Sequence, residues 1–197
     1  MTSKLSHTLS KIVLGCLALY FIYLFSNVLS IVSKRHIGTV DGTYVNNTRQ
    51  NSELYELAQS LTQKCQDDPC RVQNILNYVT NIPYKINKFT AHSPQETIQK
   101  NFGDCDDKSN LLISLLHELK IESYFVLVPE HIFVIVSLPE ITHIKALRIN
   151  QTPYYILEST AKDSSIGFPL HYSFNDIHAI VEPFENRKLK INTIDYK

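Results

Sequence analysis

A charge-free apolar run, IVLGCLALYFIYLFSNVLSIVS from Ile12 to Ser33, constrains this chain more than any other feature. Lys11 closes it on one side and Lys34-Arg35 on the other. At ~1.5 Å per residue a helix of this length crosses a hydrocarbon core of about 30 Å. A cleaved signal peptide has a shorter apolar region and a small-residue exit site. The run therefore reads as an uncleaved single-pass membrane anchor over residues 12–33, behind a short tail over residues 1–11. Val13-Leu14-Gly15-Cys16 has the look of a lipoprotein cleavage box, but the apolar stretch follows it instead of preceding it, the wrong order for lipidation.

Lys4 and Lys11 before the run and Lys34 and Arg35 after it nearly cancel as an orientation signal. Cys65 and Cys70, in KCQDDPC, add a second clue. A disulfide between them would mark an oxidising compartment, whereas two unpaired thiols near a helix end would not. Both readings stay open at this stage. The expectation is a short cytoplasmic tail with the domain outside the cytoplasm.

The chain has 197 residues, enough for one domain and its appendages. Acidic and basic residues balance at 19 each, which argues against a nucleic-acid partner. Glycine is scarce, with no phosphate-cradling loop and no internal repeat.

Residues 34–51 are polar and lack a helical period, and read as a linker or a loosely attached strand. A domain is expected over 52–197. Leu54, Leu57, Ala58 and Leu61 fall on one helical face, as do Val72, Ile75, Leu76 and Val79 after a break at Asp67-Asp68-Pro69. Ser93-Pro94-Gln95-Glu96 has the capping-box pattern of a helix start. Past the Asn101–Asp104 turn, Leu111, Leu112, Leu115, Leu116 and Leu119 predict an amphipathic helix that begins near Cys105. Ser123–Val128, Ile132–Leu138 and Tyr154–Glu158 are near-continuous apolar, β-rich runs, expected of strands covered on both faces. A further strand is expected around Ala179–Val181. Helices first and strands after predict an α+β fold.

Cys105 is the candidate nucleophile, although a lone cysteine at a helix start can equally be structural. At a helix start its sulfur meets unpaired backbone N–H groups and the positive end of the macrodipole, which favour a thiolate and can hold an oxyanion. Asp104, Asp106 and Asp107 oppose that charge, so a basic partner is needed. His131 opens the next strand. If that strand pairs antiparallel with Tyr154–Glu158, Glu158 arrives beside His131 and fixes its tautomer. Nucleophile, base and orienting acid are then Cys105, His131 and Glu158. For the oxyanion, the Cys105 backbone N–H is the first donor and Tyr84 a side-chain candidate. His92, His117, His143, His171 and His178 show no paired metal-ligand spacing, so no metal or cofactor is expected. Asn46-Asn47-Thr48 and Asn150-Gln151-Thr152 match the glycosylation sequon, which has meaning only in a eukaryotic secretory setting.

The segments SPQETIQKNFGDCDDKSNLLISLLHELKIESYFVLV, HIFVIV and YYILEST resemble the transglutaminase-like superfamily of cysteine peptidases and acyltransferases. Gly103-Asp104-Cys105 with Asp107 matches its first motif, His131 its second and Glu158-Ser159-Thr160 its third, in order, and Ile82-Pro83-Tyr84 is similar to its lead-in. The resemblance covers roughly Leu54 to Lys162. It implies a papain-like core, with the nucleophile helix packed on an antiparallel sheet, and an acyl-enzyme mechanism on a protein or peptide substrate. Glu158 stands where Asp is commoner in the family, so the strand register must absorb one methylene. Nothing resembles the extra β-domains or calcium sites of animal transglutaminases, so cross-linking is not implied. Hydrolysis is the expected activity; amine-accepting acyl transfer and a catalytically silent partner-binding domain are the alternatives.

Overall fold

The computed structural model describes residues 2–32, 35–39, 42–87 and 91–197. Ser33 and Lys34, which end the expected span and begin the expected linker, lie outside them. The chain divides into two compact units, Met1–Arg35 and His36–Lys197.

The first unit is the helix α1 (Thr2–Val32). Its segment His7–Ser26 is long and apolar enough to cross a membrane. Leu14, Leu19, Phe21, Ile22, Tyr23 and Phe25 are all exposed around it, so no protein core accounts for its apolar character.

The second unit is α+β. Its helices are α2 (Ser52–Thr62), α3 (Asp68–Asn81), α4 (Pro94–Lys100) and α5 (Cys105–Glu118). Each starts where its capping chemistry lies. Asn51 and Asp67 accept from Leu54 N and Cys70 N at the starts of α2 and α3, and Ser93 with Glu96 forms the capping box of α4. Cys65 and Cys70 are joined as a disulfide across the α2–α3 turn.

The strands are β1 (Arg35–Thr39), β2 (Gly42–Asn46), β3 (Ser123–Val128), β4 (His131–Val136), β5 (Leu147–Ile149), β6 (Thr152–Leu157), β7 (Ala179–Glu182), β8 (Arg187–Lys188) and β9 (Ile194–Tyr196). β1 and β2 pair with each other, and the rest form a curled antiparallel sheet in the order β8-β7-β3-β4-β6-β5-β9. The short strands β5, β8 and β9 have too little apolar periodicity to be found in sequence. Phe125, Leu127, Ile132, Val134, Val136, Tyr155 and Leu157 face the helices, in one cluster with Leu54, Ile75, Leu111 and Leu115. Val126, Val128, Phe133, Ile135, Tyr154 and Ile156 form the opposite face, covered by Phe168, Leu170, Tyr172 and Leu189. Both faces are dry, which is why these strands read as unbroken apolar runs.

Residues 45–51, within the stretch expected to be a linker or a loosely attached strand, are fixed along α5. Asn110, Ser114 and Glu118 lie one turn apart and accept from the backbone N–H groups of Asn47, Arg49 and Asn51 at 2.9, 3.0 and 2.9 Å. Asn110 also donates to Val45 O at 3.2 Å. Four helical residues rise ~6 Å and two extended residues advance ~6.6 Å. A polar i, i+4 stripe can therefore serve an extended chain as a neighbouring strand would. Tyr44 anchors the segment, packed edge-on to Phe125 with its hydroxyl donating to Asn110 at 3.3 Å.

Candidate active site

The Gly-Asp-Cys turn is held from both sides. Gly103 N donates to Pro83 O at 3.2 Å and Lys85 N to Gly103 O at 3.0 Å, an isolated parallel bridge of Tyr84 with Gly103. A Cβ on Gly103 would lie 2.7 Å from the Cβ of Asp107, so close packing requires glycine there. Asp104 and Asp107 then form the capping box of α5, which begins at Cys105.

Asp107 is fully buried and ties in a further segment. It accepts from His92 N at 2.5 Å, and His92 Nδ1 lies 3.0 Å from its other oxygen, an ion pair whenever the ring is protonated. Asp107 is thus structural: it locks the chain before α4 onto the start of α5.

Lys108, on the next position, is also buried. Its ammonium donates to Ile82 O at 2.8 Å and reaches Thr80 O at 3.4 Å, which caps the C-terminus of α3 from inside the core. Burial lowers its pKa to about 8, against the pull of Glu158. Ser109 Oγ lies 3.1 Å from Ser159 Oγ and links the same helix to the residue after Glu158.

His131 Nε2 and Glu158 Oε2 are 2.8 Å apart. The β4–β6 register pairs Val134 with Leu157, so one further step sets Phe133 opposite Glu158. His131 is then the diagonal neighbour on the same face, a distance that suits a long side chain. The register thus absorbs the extra methylene of Glu158. The other carboxylate oxygen accepts from Thr160 N at 2.9 Å and Thr160 Oγ1 at 2.5 Å. Burial pushes the Glu158 carboxyl up, but the bonds from His131 and Thr160 and the imidazole charge outweigh it and leave the pKa lowered.

Cys105 does not hydrogen-bond His131 among the described residues. Its thiol points to Asp106 Oδ1, at 3.6 Å, and the residue packs against the helix-side cluster. Asp106 is within electrostatic reach of both the Cys105 thiol and His131. Burial, then Asp106 and Asp104, push the Cys105 thiol up to about 12. Asp106 is itself raised to about 7, first by burial and then by Asp104.

Tyr84 is exposed, and its phenol is within electrostatic reach of Cys105. Tyr172 stacks with His131 and is a site residue that sequence spacing did not reveal. It sits in a stretch without regular periodicity, so only its ring contact identifies it.

Residues 55–132 match the family described as the Transglutaminase-like superfamily, a span that holds Cys105 and His131 and stops before Glu158. Two solved structures are similar. One is a candidate cysteine protease from Cytophaga hutchinsonii: 20% identity, 55% of this chain, 37% of the other, TM-score 0.44. The second is a candidate protease from Parabacteroides distasonis: 13% identity, 71% of this chain, 27% of the other, TM-score 0.45. The chain spans well under half the length of either. No curated protein matches it. Over residues 55–132, which include the helix that begins at Cys105, the chain is similar to the transglutaminase-like superfamily.

Proposed function

We propose that the domain is a thiol-dependent amide hydrolase, cysteine peptidase-like, working through Cys105, His131 and Glu158. The observation that carries the reading is the 2.8 Å His131–Glu158 pair, whose imidazole is within electrostatic reach of Asp106, the neighbour of the cysteine. With Nε2–H donated to Glu158, Nδ1 is the free lone pair and the nitrogen suited to take the thiol proton. Catalysis then requires the sulfur to exchange Asp106 for His131. The thiolate attacks a substrate amide carbonyl, the oxyanion is held by the Cys105 N–H with Tyr84 as a second donor, and the imidazolium protonates the leaving amine. A water deprotonated by His131 then hydrolyses the thioester and frees the acid and the thiol. An amine in place of water would give acyl transfer from the same intermediate.

The substrate in this proposal is a protein or peptide, and α1 tethers the domain to a membrane. The Cys65–Cys70 disulfide supports a site outside the cytoplasm, since such bonds persist in oxidising compartments. A second reading, a silent partner-binding domain of the same fold, is favoured by the protonated thiol bonded to Asp106.

The two readings separate on labelling by a thiol-directed electrophile at neutral pH. The hydrolase is expected to lose Cys105 labelling in His131→Ala and to lose turnover of a peptide pool in Cys105→Ala. Labelling that is equal in wild type and His131→Ala, with no peptide turnover, refutes the hydrolase.

A further inference from the structure

Phe168, Leu170 and Tyr172 form an extended strap across the sheet face away from the helices. Phe168 N is anchored to Ile156 O at 3.1 Å, and Leu170 N reaches the Tyr196 hydroxyl at 3.4 Å. Their neighbours Pro169 and His171 are exposed, so alternate side chains turn inward as on a strand. The last inward residue, Tyr172, meets the candidate site. Its ring is near-parallel to His131, with centroids 6.2 Å apart and planes 19° apart. It stands in the same relation to Phe133, at 6.2 Å and 15°. Both separations fall within offset stacking.

We propose that Tyr172 is the positioning residue for His131, a role that rests on the hydrolase reading. His131 is the first residue of β4, where the ladder holds its backbone on one side only, and Glu158 restrains a single ring atom. One hydrogen bond leaves the imidazole free to swing about the Nε2–Oε2 line. A ring stacked on its face removes that freedom and sets where Nδ1 points. Because Tyr172 also packs on Phe133, its plane is fixed by the sheet. The Tyr172 phenol senses both Glu158 and Cys105, and burial, Glu158 and Cys105, in that order, keep it protonated. It thus adds no charge beside the imidazole.

The test uses the full chain in detergent micelles, with Tyr172→Phe and Tyr172→Leu, and Tyr172→Met should the leucine variant fold poorly. His131 Hε1 is followed by NMR, assigned by the signal lost in His131→Gln. Cys105 alkylation by iodoacetamide is followed against pH by peptide mass spectrometry. Tyr172→Phe is expected to keep the wild-type Hε1 shift and rate profile. Tyr172→Leu is expected to lose the ring-current displacement of Hε1 and to slow alkylation about tenfold near pH 7. A His131 resonance and rate profile in the leucine or methionine variant that overlay wild type would overturn the role. So would a phenylalanine variant that behaves like leucine. If Cys105 alkylation is insensitive to His131 in wild type, the hydrolase reading fails, while the Hε1 shift still decides whether Tyr172 positions the ring.

Discussion

Asp106→Asn removes the charge that, after burial, does most to push the Cys105 thiol up. The thiol lies 3.6 Å from the Asp106 carboxylate, so the Coulomb cost of a thiolate there is about 1 kcal/mol at water's dielectric and about 5 kcal/mol at an effective value near 20. At 1.36 kcal/mol per pH unit, removing the charge lowers the thiol pKa by about 1 to 3 units. Starting from about 12, the group stays mainly protonated at pH 7.5, so its thiolate fraction rises tenfold per unit. Nucleophilicity falls as pKa falls, with a Brønsted slope of about 0.4–0.5, which leaves a net gain near threefold per unit. Iodoacetamide should therefore alkylate Cys105 about 3- to 30-fold faster in Asp106→Asn at pH 7.5, read on the Cys105 peptide. The same carboxyl, raised from 3.8 to about 7, binds its proton more tightly folded than unfolded. Its ionisation costs stability as pH rises from about 4 to 7. The asparagine variant should thus match wild type in urea near pH 4 and exceed it at pH 7.5. An alkylation profile superimposed on wild type would refute this account of the site's electrostatics.

Glu158→Gln should lower Cys105 reactivity by weakening the hold on the His131 tautomer, assayed by the same alkylation. Because the folded Glu158 pKa lies below its ordinary value of 4.5, its stabilisation is complete above that pH and lost on acidification through the folded pKa; the urea midpoints of wild type and variant should differ at pH 7 and converge as the pH falls below the folded pKa. Lys108→Met leaves the Thr80 and Ile82 carbonyls without their buried donor and should cost about 1–3 kcal/mol in denaturant unfolding. Asn110→Ala removes the bonds to Val45 O, Asn47 N and the Tyr44 hydroxyl, and should cost about 2–4 kcal/mol and raise amide exchange over residues 45–47; unchanged exchange would mean that the segment is held by Tyr44 packing alone.

Local chemistry made much of this protein legible in its sequence. The apolar helix of α1, the caps at Asp67, Ser93 and Asp104, the leucine stripe of α5 and the apolar runs of β3, β4 and β6 each depend on residues within a turn or a strand of one another. The tight Gly103–Asp107 contact and the arrival of Glu158 near His131 follow from the same short spacings and one antiparallel pairing.

What remained hidden depends on how distant segments meet. Sequence periodicity says that a strand alternates faces but not which neighbour a side chain at a helix start will meet, so it could not reveal that the Cys105 thiol points to Asp106. Nor could it reveal Tyr172 on the imidazole, Lys108 under the end of α3, or a supposed linker hydrogen-bonded along α5. Polar residues such as Asn110 and Ser114 look like interruptions of an apolar helix until their partners are seen. Sequence named the candidate side chains; packing determined their burial and their neighbours, and these set the charge on the sulfur.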